Sequence, residues 1–168
     1  AFLKTALKRI ELSSQKIDAI AVTGDITNYA DEESLADYFE IINEYADIPV
    51  ITAAGNHDIG HAGDRNVTDI SREEARDNFV RYLNEYMGTE LEQPYYSYVL
   101  DGYKFIVLGD EVIDGGCWDA VTMSQAQLDF LDSELASAGD KPVFVLSHWA
   151  IKGTTGEQII WDGSGGDP

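Results

Sequence analysis

Three polar segments of this chain carry side chains that bind metals, and each comes directly after an apolar run. The side chains belong to Asp25, to Asn56 with His57, and to His148. Apolar runs of this kind predict buried strands, and polar residues that follow neighbouring strands meet in the crevice where open α/β sheets bind ligands. A carboxylate, an amide oxygen and an imidazole suit Zn, Fe, Mn or Ni. The sequence therefore predicts a metal site.

The residue types also indicate the chemistry that such a site would perform. Asp25 can place one carboxylate oxygen on each of two metals, and a metal pair polarises a phosphoryl oxygen and lowers the pKa of bound water. His57 lies beside a ligand, so it can donate a proton to a leaving oxygen or stabilise charge on a phosphoryl group. Asp58 is predicted to hold the His57 imidazole in one tautomer.

A βαβ unit is predicted to position the first two segments. Residues 17–23 and 49–53 are predicted strands, and residues 32–45 between them form an apolar stripe with helical spacing, capped by Asp31. Because strands in such a unit run parallel, Asp25 and Asn56 are expected at the same edge of the sheet.

The rest of the chain predicts further helices and one hairpin. Residues 96–100 and 103–108 flank an Asp-Gly pair, which is a strong hairpin signal, so a mixed parallel and antiparallel sheet is expected. The other predicted segments are a helix over residues 2–15, a long loop over 55–70, a helix over 72–87, a helix that begins at 124, a strand over 142–146 and a loop over 162–168.

Length and charge limit the classes of function. The 168 residues fit a single domain, and 31 acidic against 11 basic residues give a formal charge of −20, which is unfavourable for binding nucleic acid or an anionic membrane. No apolar run approaches the roughly 20 residues that span a bilayer. A water-soluble protein is predicted, either cytoplasmic or secreted.

The motifs resemble those of the calcineurin-like metallophosphoesterases, which include purple acid phosphatases and many bacterial phosphodiesterases. That family carries Asp-x-His, Gly-Asp, Gly-Asn-His-Asp or Gly-Asn-His-Glu, a lone His, and Gly-His-x-His, in this order. Residues 24–25, residues 55–58 and His148 match the middle three motifs. The resemblance covers nearly the whole chain.

The resemblance implies a fold, a cofactor and a set of roles. The fold is an α/β (α+β) sandwich of mixed β-sheets flanked by helices. Asp25 would bridge two divalent ions (Mn, Fe, Zn or Ni), Asn56 and His148 would bind the second ion, and His57 would assist phosphoryl transfer. The implied reaction is hydrolysis of a small phosphate mono- or diester by a metal-bridging hydroxide.

Two motifs of the family do not occur in the chain. There is no Asp-x-His, and the three histidines, His57, His61 and His148, cannot form Gly-His-x-His. We therefore expect residues 1–168 to be a single incomplete phosphoesterase domain, truncated at both ends, that binds one metal or none. The alternatives are a non-catalytic binding domain or inactive fragment on the same fold, and a two-metal hydrolase of non-phosphate esters.

Several residues have a simpler interpretation beside the functional one. Asp25 could be an ordinary turn residue, and His148 could be a histidine of the core. His61 is predicted at the loop surface, with substrate contact as the alternative, and Arg65 is predicted at the surface, with phosphate contact as the alternative. Cys117 is predicted to be a structural thiol.

Overall fold

A computed structural model describes residues 2–59, 70–111 and 123–149 of the chain. The helices are α1 (Phe2–Glu11), α2 (Glu32–Tyr45), α3 (Asn56–Ile59), α4 (Arg72–Met87) and α5 (Gln125–Ala136). The strands are β1 (Ile20–Val22), β2 (Val50–Thr52), β3 (Tyr96–Leu100), β4 (Tyr103–Val107) and β5 (Val143–Leu146). These elements follow the order α1-β1-α2-β2-α3-α4-β3-β4-α5-β5 along the chain.

The first sheet contains β1 and β2, joined through α2. The strands run parallel, with Ile20 opposite Val50 and Val22 opposite Thr52. The predicted βαβ unit is confirmed, and both strands end at the same edge of this sheet.

The second sheet has the order β3-β4-β5 and mixes the two strand directions. β3 and β4 form an antiparallel hairpin whose turn residues, Asp101 and Gly102, have φ of 51° and 79°, as two-residue turns of the type I′ class require. β5 pairs with β4 in parallel, with Val107 opposite Leu146. The predicted mixed pairing is confirmed, although the strands are divided between two small sheets.

Serine and aspartate side chains begin three of the helices. Asp31 caps α2 by accepting from Ser34 N at 2.8 Å, and Ser71 and Ser124 cap α4 and α5 in the same way. Helix α1 ends at Glu11, earlier than the predicted residue 15, because the Ser13 hydroxyl accepts the Gln15 N–H at 3.1 Å and forms a turn there.

The main core lies between α2, α4 and strands of both sheets, and Phe39 is central to it. The Phe39 ring stacks on Tyr82 with centroids 6.1 Å apart and meets the edge of Phe79 at 6.3 Å. The two sheets are joined by Tyr96 of β3, whose hydroxyl accepts the Thr52 N–H at 3.1 Å and lies 3.0 Å from the Thr52 carbonyl oxygen. These hydrogen bonds fix the end of β2 relative to β3.

The predicted loop over residues 55–70 begins with the short helix α3, and its residues 60–69 lie outside the described part. The predicted loop over 162–168 also lies outside it. In the described ranges, every helix is too short or too polar to pass through a bilayer.

Candidate metal centre

Asp25 lies in a sharp turn directly after β1. Its φ is 55°, and that of Gly24 is 94°, so two consecutive residues adopt positive φ. Aspartate tolerates this conformation better than most residues, and glycine adopts it freely. The turn directs the carboxylate towards the end of β2, where Asp25 Oδ1 accepts the backbone N–H of His57 at 3.1 Å.

Asn56 is the first residue of α3, just beyond the end of β2. Only 4% of its surface is exposed. Its side-chain oxygen Oδ1 lies 3.1 Å from Nε2 of His148. The short helix thus presents an amide oxygen to a residue that is 92 positions away in the sequence.

His148 follows β5 and faces both of the preceding residues. Its Nδ1 lies 2.8 Å from the carbonyl oxygen of Thr23, and because a carbonyl can only accept, Nδ1 carries a proton. Its Nε2 lies 3.1 Å from Oδ1 of Asn56 and 3.3 Å from Oδ1 of Asp25. The Thr23 carbonyl therefore directs the other ring nitrogen towards two oxygen ligands.

The carboxylate and the imidazole stabilise each other's charged form. The hydrogen bond with Asp25 raises the pKa of His148 above its usual value, against the effect of burial. Burial raises the pKa of Asp25, but hydrogen bonds from His148 and the His57 backbone outweigh it, so the net pKa is lowered. In this arrangement, a proton on Nε2 of His148 lies between that nitrogen and the Oδ1 atoms of Asp25 and Asn56.

The distances from Nε2 of His148 to the two oxygens suit ligands of a divalent cation. Ligands about 2.1 Å from a metal and about 90–109° apart are separated from each other by about 3.0–3.4 Å, and the two distances from His148 Nε2, 3.1 and 3.3 Å, lie in this range. The donor set also has the mixed oxygen and nitrogen character that Zn, Fe and Mn accept. Within residues 2–59, 70–111 and 123–149, no three His, Cys, Asp or Glu side chains cluster as a metal site. The described residues therefore bring three candidate ligands together.

His57 is placed beside these residues with one ring nitrogen already engaged. Its Nδ1 lies 2.8 Å from the carbonyl oxygen of Asn28. A proton on Nδ1 makes this hydrogen bond, which fixes the tautomer and the orientation of the ring.

Asp58 joins two loops. It is 1% exposed, and its Oδ1 accepts the backbone N–H of Thr27 at 2.8 Å and lies 3.1 Å from the Thr27 hydroxyl. Its Oδ2 accepts the N–H of Gly55 at 2.8 Å. We expected Asp58 to orient the His57 imidazole. The structure places the Asn28 carbonyl at Nδ1 of that ring, and Asp58 bonds to the loops that carry Asp25 and Asn56.

Asp110 is a further buried carboxylate at this edge, and the sequence analysis missed it. It follows β4, is 4% exposed, and donates its backbone N–H to Ala54 O at 3.2 Å, next to Gly55. Burial raises the pKa of Asp110 to about 6, against the opposing effects of the Glu111 N–H and of the charges on Arg72 and His148. The sequence held a signal for it, since the chain carries Gly-Asp after β4 as it does after β1.

The other residues singled out from the sequence, His61, Arg65 and Cys117, lie outside the described residues. Asp25, Asn56, His57 and His148 come together as predicted.

The family model for calcineurin-like phosphoesterases matches residues 1–162, and the chain belongs to that family. Metallophosphoesterases of this family use dinuclear metal sites.

Two known proteins are similar to the chain. A probable cyclic nucleotide phosphodiesterase of Rhodococcus erythropolis (strain PR4 / NBRC 100887) is 32% identical over 152 residues, which are 87% of this chain and 43% of that protein. The chain thus spans less than half the length of this curated relative. Purple acid phosphatase PPD1 from yellow lupin (Lupinus luteus) seeds is similar to 80% of this chain over 23% of its own, with a TM-score of 0.48 and 19% identity.

Proposed function

We propose that the protein hydrolyses a small phosphate ester, with divalent cations held in part by Asp25, Asn56 and His148. The observation that carries this proposal is the approach of two side-chain oxygens to His148 Nε2, at 3.1 and 3.3 Å. These donors come from three separate loops. A cation held by these residues would polarise a phosphoryl oxygen and lower the pKa of bound water.

His57 provides the proton transfer. Its Nδ1 is fixed on the Asn28 carbonyl at 2.8 Å, and we assign the proton transfer to Nε2. The imidazolium form carries a second proton at Nε2 and can donate it to the leaving oxygen, whereas the neutral form offers only a lone pair there. Catalysis at His57 therefore needs the protonated ring.

The charge of the chain favours a small substrate. A formal charge of −20 opposes the approach of a nucleic acid backbone. Bound divalent cations reverse the sign of the field at the site itself, so one or two phosphate groups can still bind. The similarity to a probable cyclic nucleotide phosphodiesterase makes a cyclic nucleotide a suitable diester to test.

The test is an assay with Mn²⁺ or Ni²⁺ and the chromogenic diester bis(p-nitrophenyl) phosphate, on the polypeptide that the gene encodes. We expect metal-dependent turnover that Asp25→Asn lowers by at least about 100-fold. Asp140→Asn is the matched control, because it removes an exposed carboxylate from the turn before β5 and should leave turnover unchanged. Equal activity of the wild type and Asp25→Asn would sink the proposal.

A non-catalytic binding domain on the same fold is the second candidate. It is favoured by the incomplete ligand set, because the described ranges contain no cluster of three His, Cys, Asp or Glu side chains. Calorimetry with Mn²⁺, combined with the diester assay, separates the two candidates. A binding domain takes up the ion without hydrolysing the diester.

A further inference from the structure

Asp110 is a buried carboxylate that the proposed mechanism does not use. It lies at the end of β4, beside the strand that leads to His148, and only 4% of its surface is exposed. A buried carboxylate is costly unless charged or hydrogen-bonding groups compensate it. Residues of this kind often serve a functional site.

The structure fixes the position of Asp110 through its neighbours on both sides. Gln127 of α5 is fully buried, and its amide accepts the Gly109 N–H at 3.1 Å and donates to the Gly109 carbonyl at 3.1 Å. On the other side, the Asp110 N–H donates to Ala54 O at 3.2 Å. The backbone that carries this carboxylate is therefore tied to α5 and to the segment before Asn56.

Asp110 and His148 follow neighbouring strands, since Val107 of β4 pairs with Leu146 of β5. Against the larger effect of burial, the charges of Arg72 and His148 favour the ionised form of Asp110 and lower its pKa. The Nε of Arg72 is buried and has no hydrogen-bond partner among the described residues. The Asp110 charge thus acts on the imidazole whose Nε2 faces Asp25 and Asn56.

We propose that Asp110 is a positioning residue of the metal centre, whose buried negative charge acts through His148 to strengthen the binding of a divalent cation. The carboxylate does not need to touch the cation, because a charge in a poorly solvated environment acts over several ångströms. This inference rests on the proposed function, since it concerns the cation assigned to Asp25, Asn56 and His148.

The test is a titration of the protein with Mn²⁺ at pH 8 in a calorimeter. We expect Asp110→Asn, which keeps the shape and removes the charge, to raise the Mn²⁺ Kd about tenfold. Asp132→Asn is the matched control, because it removes one carboxylate from the exposed face of α5 and should leave the Kd within about twofold. If the charge of Asp110 has no effect on the cation, Asp110→Asn binds Mn²⁺ as tightly as Asp132→Asn, and that result would overturn the proposal.

Arg72→Met provides a second measurement with the opposite sign. It removes the cation that opposes metal binding near Asp110, so the Mn²⁺ Kd should fall. If Asp110→Asn does not fold, an unchanged or higher Kd for Arg72→Met overturns the inference. His148→Ala identifies a failure of the proposed function itself, because Mn²⁺ bound equally well without His148 would place the metal elsewhere and remove both proposals.

Discussion

The backbone of Gly55 lies so close to Gly24 that a Cβ on Gly24 would be 2.6 Å from the Gly55 nitrogen. The loops after β1 and β2 therefore pack backbone against backbone, with no side chain between them. Because of this contact, the residues that come next in the sequence, Asp25 after Gly24 and Asn56 after Gly55, lie close together.

Replacing Gly24 with alanine should disrupt the metal centre. The added methyl would overlap with the Gly55 backbone, and alanine would also adopt a φ of 94°, so we expect unfolding free energy to fall by about 3 kcal/mol and Mn²⁺ affinity to fall with it. Urea denaturation and calorimetry measure the two effects. Gly88→Ala is the control, because Gly88 has a φ of 66° and open space at its Cβ position. It should cost about 1 kcal/mol and leave Mn²⁺ affinity unchanged.

His57→Gln should separate turnover from metal binding. The Asn28 carbonyl holds Nδ1 of the ring, and we assign His57 to proton transfer, so we expect kcat to fall about 100- to 1000-fold while the Mn²⁺ Kd stays at the wild-type value. His148→Gln should weaken both. A parallel loss of Mn²⁺ affinity in His57→Gln would show that His57 is a ligand and not a proton donor.

Thr27→Val should weaken the connection between the loop after β1 and Asp58 of α3. The variant keeps the shape of threonine but removes the hydroxyl, which lies 3.1 Å from Asp58 Oδ1 and accepts the Ala30 N–H at 3.1 Å. We expect the unfolding free energy in urea to fall by about 1–2 kcal/mol. Thr27→Ser retains the hydroxyl and should recover most of this loss. Equal stability of Thr27→Val and the wild type would mean that water replaces these hydrogen bonds.

The stability gained by Asp110→Asn should depend on pH. The pKa of Asp110 is about 6 in the folded chain, against an ordinary value of 3.8, so the folded state binds more protons between these values and its stability falls as pH rises through them. Without metal, Asp110→Asn should exceed the wild type by up to about 3 kcal/mol at pH 8 and by nothing near pH 4. Denaturant midpoints in EDTA at both pH values measure the difference, and a constant difference would contradict the assignment.

Glu134→Gln should weaken the attachment of α5 to the hairpin. Lys104 donates to the Glu134 carboxylate at 2.9 Å, and this hydrogen bond lowers the pKa of Glu134. A carboxyl group whose pKa is lowered by folding stabilises the fold at pH values above its unfolded-state pKa. This stabilisation is lost as the pH falls. We expect a loss of about 1 kcal/mol at pH 7 that disappears near pH 3. Glu11→Gln, at an exposed ion pair with Lys8, should change stability by less than about 0.5 kcal/mol.

The fold was predictable from the sequence where local chemistry determines it. The Asp31 cap, the helical stripe of α2 and the Asp101-Gly102 turn are local signals, and all three were confirmed. The division of the strands into more than one sheet was implied by the family resemblance and not by the residue pattern, because it depends on side chains such as Tyr96 that join β3 to β2.

The sequence predicted which strand ends carry the site residues, but it did not predict the hydrogen bonds that these residues make. Asp25 and Asn56 meet because the parallel strands β1 and β2 end at one edge of the first sheet, and His148 reaches them from the end of β5 in the second sheet. The partners of His57 and Asp58 depend on which way each side chain leaves its turn, and sequence spacing does not give that direction. Asp110 was missed because its Gly-Asp lies outside the motifs that matched.

The candidate ligands come from both sheets, since Asp25 and Asn56 follow strands of the first sheet and His148 follows β5 of the second. A cation held by all three would be a cross-link between the sheets, and its binding free energy would add to the stability of the fold in proportion to the logarithm of its free concentration. The temperature of thermal unfolding should therefore rise with the concentration of free divalent metal. Displacing one sheet against the other would in turn release the ion.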